Sequence, residues 1–294
     1  MKEERVKVKG LVSVIIPVHN GEKFIADAIE SVLSQTYDMK MIEIIIIDDC
    51  STDDTMKVIE KYQFQSQEDN PKIIIIQQPI NYGSAIARNI GLKMASGEYI
   101  AFLDCDDYYE PKKIQIQVEL FENHQEKNDN VGLIYTSYLN HNLLTNKITN
   151  YVHPKKPNLL QDNHICLSTV MIKAEVLDKI GLFDPRTGGS CDWDLYVRTE
   201  SAGYKRCYYD EPLLTYQVHD NNTALVRKNR ATYELEKKHI ILRKAYIRRG
   251  KSFNIWLIVI RTRIELSLSK NILINNRFTI SILRYIYRIL NKVF

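Results

Sequence analysis

Four short apolar runs, at residues 11–16, 42–47, 73–76 and 98–103, recur through the first third of the chain, and none alternates cleanly between apolar and polar positions. A strand that is apolar on both faces has to be covered on both. That is the pattern of parallel strands joined by right-handed helical crossovers. The intervening segments have the spacing such crossovers need. Phe24, Ala28, Val32 and Leu33 fall at helical intervals within residues 22–35, residues 54–62 follow Thr52 or Asp53 as an N-cap, and residues 84–95 make a third helix. The expected fold is α/β, a Rossmann-like, mostly parallel central sheet with flanking helices. Further along, residues 111–123 read as a helix and 131–135 as a strand. Residues 140–161, rich in Asn, Lys, Thr and Pro, read as a loop or hairpin lid. Strands are expected at 170–172 and 213–218, with a helix at 193–201 between them and another at 230–249.

The fourth strand runs directly into Asp104-Cys105-Asp106-Asp107. Open α/β sheets bind ligands at the C-terminal edge of their strands. Carboxylates crowded there repel one another unless a cation sits among them, and hard oxygen ligands favour Mg²⁺ or Mn²⁺. A divalent ion bridged to a nucleotide diphosphate accounts for the run, and an acidic loop capping the helix after Pro111 is the plainer alternative. The first strand ends in Pro17-Val18-His19-Asn20-Gly21, where the His19 ring could stack on a base or simply make a turn. The second ends in Asp48-Asp49, a carboxylate able to accept from a base N–H or a ribose hydroxyl, or to cap the next helix. Three of the first four strands thus end in polar residues at one sheet edge.

The formal charge of +4 hides a division: residues 237–294 hold 14 Lys or Arg against Glu265 alone, leaving the preceding part net acidic. In that tail Phe253, Trp256, Leu257, Ile260 and Ile264 share one helical face, and Ile282, Ile286 and Ile289 form a second stripe beside Arg277, Arg284 and Arg288. A basic amphipathic helix with Trp and Phe suits the headgroup region of an anionic bilayer. The alternative is that the stripe packs on the body of the protein or on a second protomer. Nucleic acid is not an expected partner, because the acidic body opposes it and no base-reading module is present. Five cysteines (50, 105, 166, 191 and 207) without a CxxC pair argue for a reducing compartment and against structural zinc. The first ten residues mix both charges and read as a pre-strand segment, and no run approaches the roughly 18–20 apolar residues needed to span a bilayer. The expected location is the cytoplasm, peripheral at the inner face of the membrane.

The motifs VSVIIPVHN (12–20), EIIIIDDCSTDDT (43–55), NYGSAIARNIGL (81–92) and GEYIAFLDCDD (97–107), in this order and spacing, resemble those of the family 2 inverting glycosyltransferases of the GT-A fold. The likeness continues through Gly181-Leu182-Phe183-Asp184 to about Val226 and covers roughly three quarters of the chain. The resemblance implies a nucleotide-sugar site in which Pro17, His19 and Asp49 surround a uracil and Asn20 also takes part, although the family often has Tyr or Phe where His19 stands. It implies that Asp104 faces the ribose or diphosphate, that Asp106 is a direct ligand of Mn²⁺ or Mg²⁺, and that Asp107 orients the loop or approaches the acceptor. Arg88 would neutralise phosphate or pair with Asp104.

The segment Gly188-Gly189-Ser190-Cys191-Asp192-Trp193-Asp194-Leu195 resembles the family's Glu-Asp motif, with Cys191 in place of Glu and Asp192 in the position of the catalytic base. Such a base is needed because a sugar hydroxyl is a weak nucleophile at neutral pH. Trp193 and Asp194 would lie on the acceptor side, or Trp193 in the core, with Arg198 pointing back at the diphosphate or, the favoured reading, bracing Asp194. His219 falls in a segment resembling the family's Arg-x-His, with Gln217 for Arg, and would touch the metal or diphosphate. His164 and Ser168 lie where many relatives line the acceptor site.

The implied organisation is a GT-A catalytic domain over residues 1–236 and a basic helical extension over 237–294. In the former, a nucleotide-binding half spans about 11–135 and an acceptor half about 136–236. The implied activity is metal-dependent inverting transfer of a sugar from a UDP-sugar to a hydroxyl of a lipid-linked bacterial surface glycan. A sugar nucleotidyltransferase would instead need a Gly-rich basic phosphate loop after the first strand, where only Lys23 is near. An inactive scaffold of a polysaccharide assembly is the other alternative, suggested by Cys191.

Overall fold

All seven residues of Ile42–Asp48 are buried, the result expected of a β-branched strand covered on both faces. The computed structural model describes residues 7–63, 70–152, 158–160 and 163–220, with residues 241, 259, 260 and 262 besides. The chain divides into two units, one of Met1–Pro157, His164–Phe183 and Gly203–His219, the other of Asn158–Asn163, Asp184–Ala202 and Asp220–Phe294.

In the first unit the order is β1 (Val8–Val18), α1 (Ile25–Leu33), β2 (Ile42–Asp48), α2 (Thr55–Gln63), β3 (Lys72–Gln77), α3 (Ser84–Met94), β4 (Gly97–Phe102), β5 (Asp107–Tyr109), α4 (Lys113–Glu126), β6 (Val131–Asn142), β7 (Lys147–Tyr151), β8 (Met171–Lys173), α5 (Ala174–Ile180) and, after α6 (Cys191–Ser201) of the second unit, β9 (Lys205–Val218). The strands form one mixed sheet in the order β3-β2-β1-β4-β8-β6-β9-β5, with β7 hairpinned onto β6. The first four are mutually parallel, in a register that aligns Val18 with Asp48 and Asp48 with Gln77, and Ile15 with Phe102. Their C-terminal loops, 19–21, 49–54, 78–83 and 103–106, therefore open at one edge. β8 runs antiparallel to both β4 and β6, β9 lies parallel to β6, and β5 is antiparallel to β9.

Packing follows the periodicities. α1 buries Ile25, Ala28, Ile29 and Val32 against the sheet, each large aliphatic contributing about 1.5–3 kcal/mol on full burial. α3 lies close on β1 because residue 91 is glycine: a Cβ there would stand 2.6 Å from Ile15 Cγ2. The region expected to be a loop or hairpin lid is a hairpin, β6–β7, over its described part. β6 and β9 are longer than their apolar runs indicate, since their polar ends pair with each other, and neither β5 nor α5 is expected from the pattern of the sequence. The helix expected at 230–249 and the amphipathic tail lie outside the described residues, apart from the isolated ones named above.

One lysine contradicts its usual place. Lys113 is fully buried, donating from Nζ to Gln117 Oε1 (2.6 Å) and standing 4.1 Å from the Tyr109 ring centroid. Burial pushes its pKa from 10.5 down to about 7. Between those values the unfolded chain binds more protons than the native one, so stability rises with pH. The raised Cys105 and Cys207 thiols act in the opposite sense above about pH 9, which sets the upper bound of the window. Between pH 7 and 9 this lysine alone should make the unfolding free energy rise by about 2 kcal/mol more in the wild type than in a variant without it. Urea melts of the wild type and Lys113→Met at both pH values check this: the difference between them should grow by that amount.

Candidate active site

The acidic loop is held by strand pairing on both sides. β4 delivers Asp104 at the sheet edge, and β5 pairs with β9 as Asp107↔Tyr216, Tyr108↔Thr215 and Tyr109↔Leu214. That register brings the end of β9 beside the loop, so that His219 Nε2 lies 3.1 Å from Asp106 Oδ2. The His219 ring is stacked on Phe24, with centroids 4.7 Å apart. Burial first, and then the Asp104 charge, hold the Asp106 carboxyl above the usual carboxylate range even though His219 lowers it. Arg88, projecting from α3 and only 8% exposed, pairs through Nη2 with Asp104 Oδ1 and lies over the Phe183 ring. Of the two roles open to Arg88, the pair with Asp104 is present in this structure.

Asp107 is turned inward. It is 1% exposed, accepts from Ser168 Oγ at 2.6 Å and from Gln217 N at 3.3 Å, and its carboxyl is pushed well up, chiefly by burial and then by Asp106 and Asp104. Of the two positions considered for it, an enclosed carboxylate bonded in this way is not presented to an acceptor.

On the other side of the edge, Pro17 is buried within β1 opposite Ile47, whereas His19 and Asn20 are exposed. His19 Nδ1 donates to Asp49 O (2.9 Å), which fixes the ring and its tautomer because a carbonyl only accepts. Asn20, at φ 53°, accepts from Thr52 N (2.8 Å) and gives its own N–H to Ser51 Oγ (2.9 Å), tying the first loop to the second. Asp49 is 3% exposed, and its carboxylate accepts from Gln78 Nε2 (3.0 Å), Tyr82 N (2.9 Å) and Gly83 N (2.7 Å). A carboxylate has about four acceptor sites, so these bonds leave room for one further N–H donor. Gly21 completes the loop, since a Cβ there would stand 2.6 Å from Val18 Cγ2 and 3.2 Å from Cys105 Sγ.

In the second unit, Asp192 lies in the first turn of α6, and Asn163 Nδ2 donates to its Oδ2 at 2.8 Å. The helix follows a short 3₁₀ segment, Pro185–Ser190, in which Gly188 adopts φ 54° and ψ −130°. Trp193 is buried and donates its indole N–H to Leu159 O (2.6 Å). Asp194 is 1% exposed and ion-paired with Arg198 at 2.7 Å. Trp193 and Asp194 are thus internal to this unit instead of presenting a surface to an acceptor, and Arg198 braces Asp194.

Gln78, which orients Asp49, has no signature in the sequence. Phe24 reads there only as part of a helical stripe, and its stacking on His219 comes from tertiary register. Ser168, expected in an acceptor-lining segment, is buried and bonds to the acidic loop instead.

Among the described residues no three His, Cys, Asp or Glu side chains converge into a ready-made metal cage. Asp106 and His219 still fit a cation of the Mn²⁺ or Mg²⁺ type. These ions are held by one or two protein groups together with substrate phosphates, and the raised Asp106 carboxyl is an anion short of positive charge. No helix among the described residues is long and apolar enough to cross a membrane.

Comparison with known proteins bears on the family and the fold. Residues 13–181 match the family described as glycosyl transferase family 2. The chain is 36% identical over 172 residues to UDP-Glc:alpha-D-GlcNAc-diphosphoundecaprenol beta-1,3-glucosyltransferase WfaP of Escherichia coli, a match spanning 58% of this chain and 62% of that protein. In fold it is similar to S. aureus TarS 1-349 in complex with UDP, with a TM-score of 0.65 at 19% identity over 88% of this chain and 73% of the other. It is also similar to the mannosyltransferase PcManGT from Pyrobaculum calidifontis in complex with GDP-Man and Mn²⁺, with a TM-score of 0.60 at 18% identity over 87% and 69%. With the family motif covering more than half of its length and the GT-A architecture around it, the chain belongs to glycosyl transferase family 2.

Proposed function

We propose that the protein transfers a sugar from a UDP-sugar, with inversion at the anomeric carbon, to a hydroxyl of a lipid-linked surface glycan. The observation that carries this reading is the register of β5 on β9, which sets Asp106 and His219 side by side at the strand edge where Asp104 and Arg88 also meet. Asp49, with room for one more donor, accepts the imide N–H of the base, and the exposed His19 ring packs on the base face. Asp104, held by Arg88, faces the ribose or diphosphate. Asp106 and His219 hold the divalent cation, Mn²⁺ or Mg²⁺. When bound, that ion stabilises negative charge developing on the departing diphosphate. Asp192 takes the proton of the attacking acceptor hydroxyl as the new glycosidic bond forms on the face opposite the leaving group.

The diphosphoundecaprenol in the name of the E. coli relative supports a lipid-linked acceptor. The basic extension of residues 237–294 would bring the catalytic region, residues 1–236, to an anionic membrane surface. Nucleotide release tests the reading. Purified protein incubated with UDP-, GDP-, CMP- and dTDP-sugars should release UDP with Mn²⁺ and none with EDTA. Release of another nucleotide would refute the uridine assignment. If neither release nor UDP binding were detected, the inactive scaffold would replace the enzyme.

A further inference from the structure

The loop carrying Asp104 and Asp106 belongs to no helix or strand, and its carboxylates repel one another, so something must hold it in place. Its backbone is closed by Asp107 N donating to Asp104 O at 3.0 Å. A second closure comes from outside the loop. Ser168, fully buried in the short turn Leu167–Thr169, accepts from Asp104 N at 3.1 Å and donates its hydroxyl proton to Asp107 Oδ2 at 2.6 Å. One hydroxyl thus clasps both ends of the four-residue segment. The other oxygen of Asp107 accepts from Gln217 N, two residues before His219. The turn bearing Ser168 is itself anchored: Gln117 Nε2 donates to Thr169 O at 2.9 Å, and Gln117 is in turn held by Lys113 Nζ.

We propose that Ser168, acting through Asp107, is a positioning residue that fixes Asp106 and His219 relative to each other for the cation and diphosphate end of the donor. This rests on the reading that Asp106 and His219 hold the ion. The geometry supports it because the two side chains come from elements far apart in sequence, and the Ser168–Asp107 pair is bonded to both segments. A serine suits this position, because its oxygen accepts and donates at once and a buried site admits no water to replace it. Groups that orient metal ligands typically alter metal affinity by about 10–100-fold when removed.

Calorimetric titration of UDP into the full-length protein, once with Mn²⁺ and once with EDTA, tests the proposal. Ser168→Ala should weaken UDP binding in Mn²⁺ by about 10–100-fold and leave binding in EDTA unchanged. Ser168→Thr, which keeps the hydroxyl, should restore most of the difference. Mn²⁺ binding without nucleotide, followed by electron paramagnetic resonance, should weaken in parallel. If Ser168→Ala does not fold, Asp107→Asn, which keeps an acceptor for Gln217 N, serves in its place with the same expectation. Equal weakening in Mn²⁺ and EDTA would show a general structural role and overturn the proposal, as would an unchanged Mn²⁺ titration. Should the wild-type protein bind UDP equally with Mn²⁺ and EDTA, the assignment of Asp106 and His219 to the ion fails first, and this proposal with it.

Discussion

Asp106→Asn should lose turnover by on the order of 10³-fold while remaining folded. The size of the loss follows from the role proposed for this carboxylate. It would be an anionic ligand of the ion that stabilises the leaving diphosphate, and an amide oxygen is a far weaker donor to a hard cation. Retention of the fold follows from the environment. Burial and the Asp104 charge already oppose ionisation of Asp106, so the uncharged amide relieves repulsion and still offers an oxygen to His219 Nε2. The melting temperature should be unchanged or higher. Steady-state rates and thermal melts on the same preparation check both halves. A variant that keeps its turnover would show that Asp106 is not a ligand, and one that unfolds would show a structural role.

Asp192→Asn should lower kcat by about 10²–10⁴-fold, the range for removing a general base, and leave UDP binding in Mn²⁺ intact. Asparagine preserves the size of the side chain and keeps an acceptor for Asn163 Nδ2, so the first turn of α6 is undisturbed. What disappears is basicity. The two substitutions therefore separate: Asp106→Asn weakens both metal-assisted UDP binding and turnover, and Asp192→Asn affects turnover alone. Turnover of Asp192→Asn near the wild-type level would move the base to another residue. Loss of UDP binding in that variant would place Asp192 with the donor.

The strands that open the fold are legible because β1, β2 and β4 are buried on both faces and so lack alternation. The acidic run stands out because an apolar strand ends in Asp104 and Asp106, a pattern that suits a ligand at the sheet edge and equally a cap for the following helix. The bracing of Asp194 by Arg198 is readable from its four-residue helical spacing.

What stays hidden depends on pairing between distant segments. β5 is three residues long and carries no periodic signal, yet its register on β9 is what sets His219 beside Asp106. Asp107 looks from the sequence like its two acidic neighbours, and only its bonds to Ser168 and Gln217 separate it from them. Lys113 would be assigned to the surface by composition alone, and its burial is compensated by Gln117 one helical turn away and by the Tyr109 ring. Asp49 reads from the sequence as a ligand for the base, but most of its acceptor capacity serves Gln78 and the backbone of residues 82 and 83.

The most direct measurement is the affinity for UDP of wild-type protein and Asp106→Asn, each titrated calorimetrically with Mn²⁺ and with EDTA. The expected result is that Mn²⁺ tightens wild-type binding by at least about tenfold and that the substitution abolishes the gain. Equal wild-type affinities with Mn²⁺ and EDTA, or a gain that survives in Asp106→Asn, would contradict the assignment of this loop as the cation–diphosphate site.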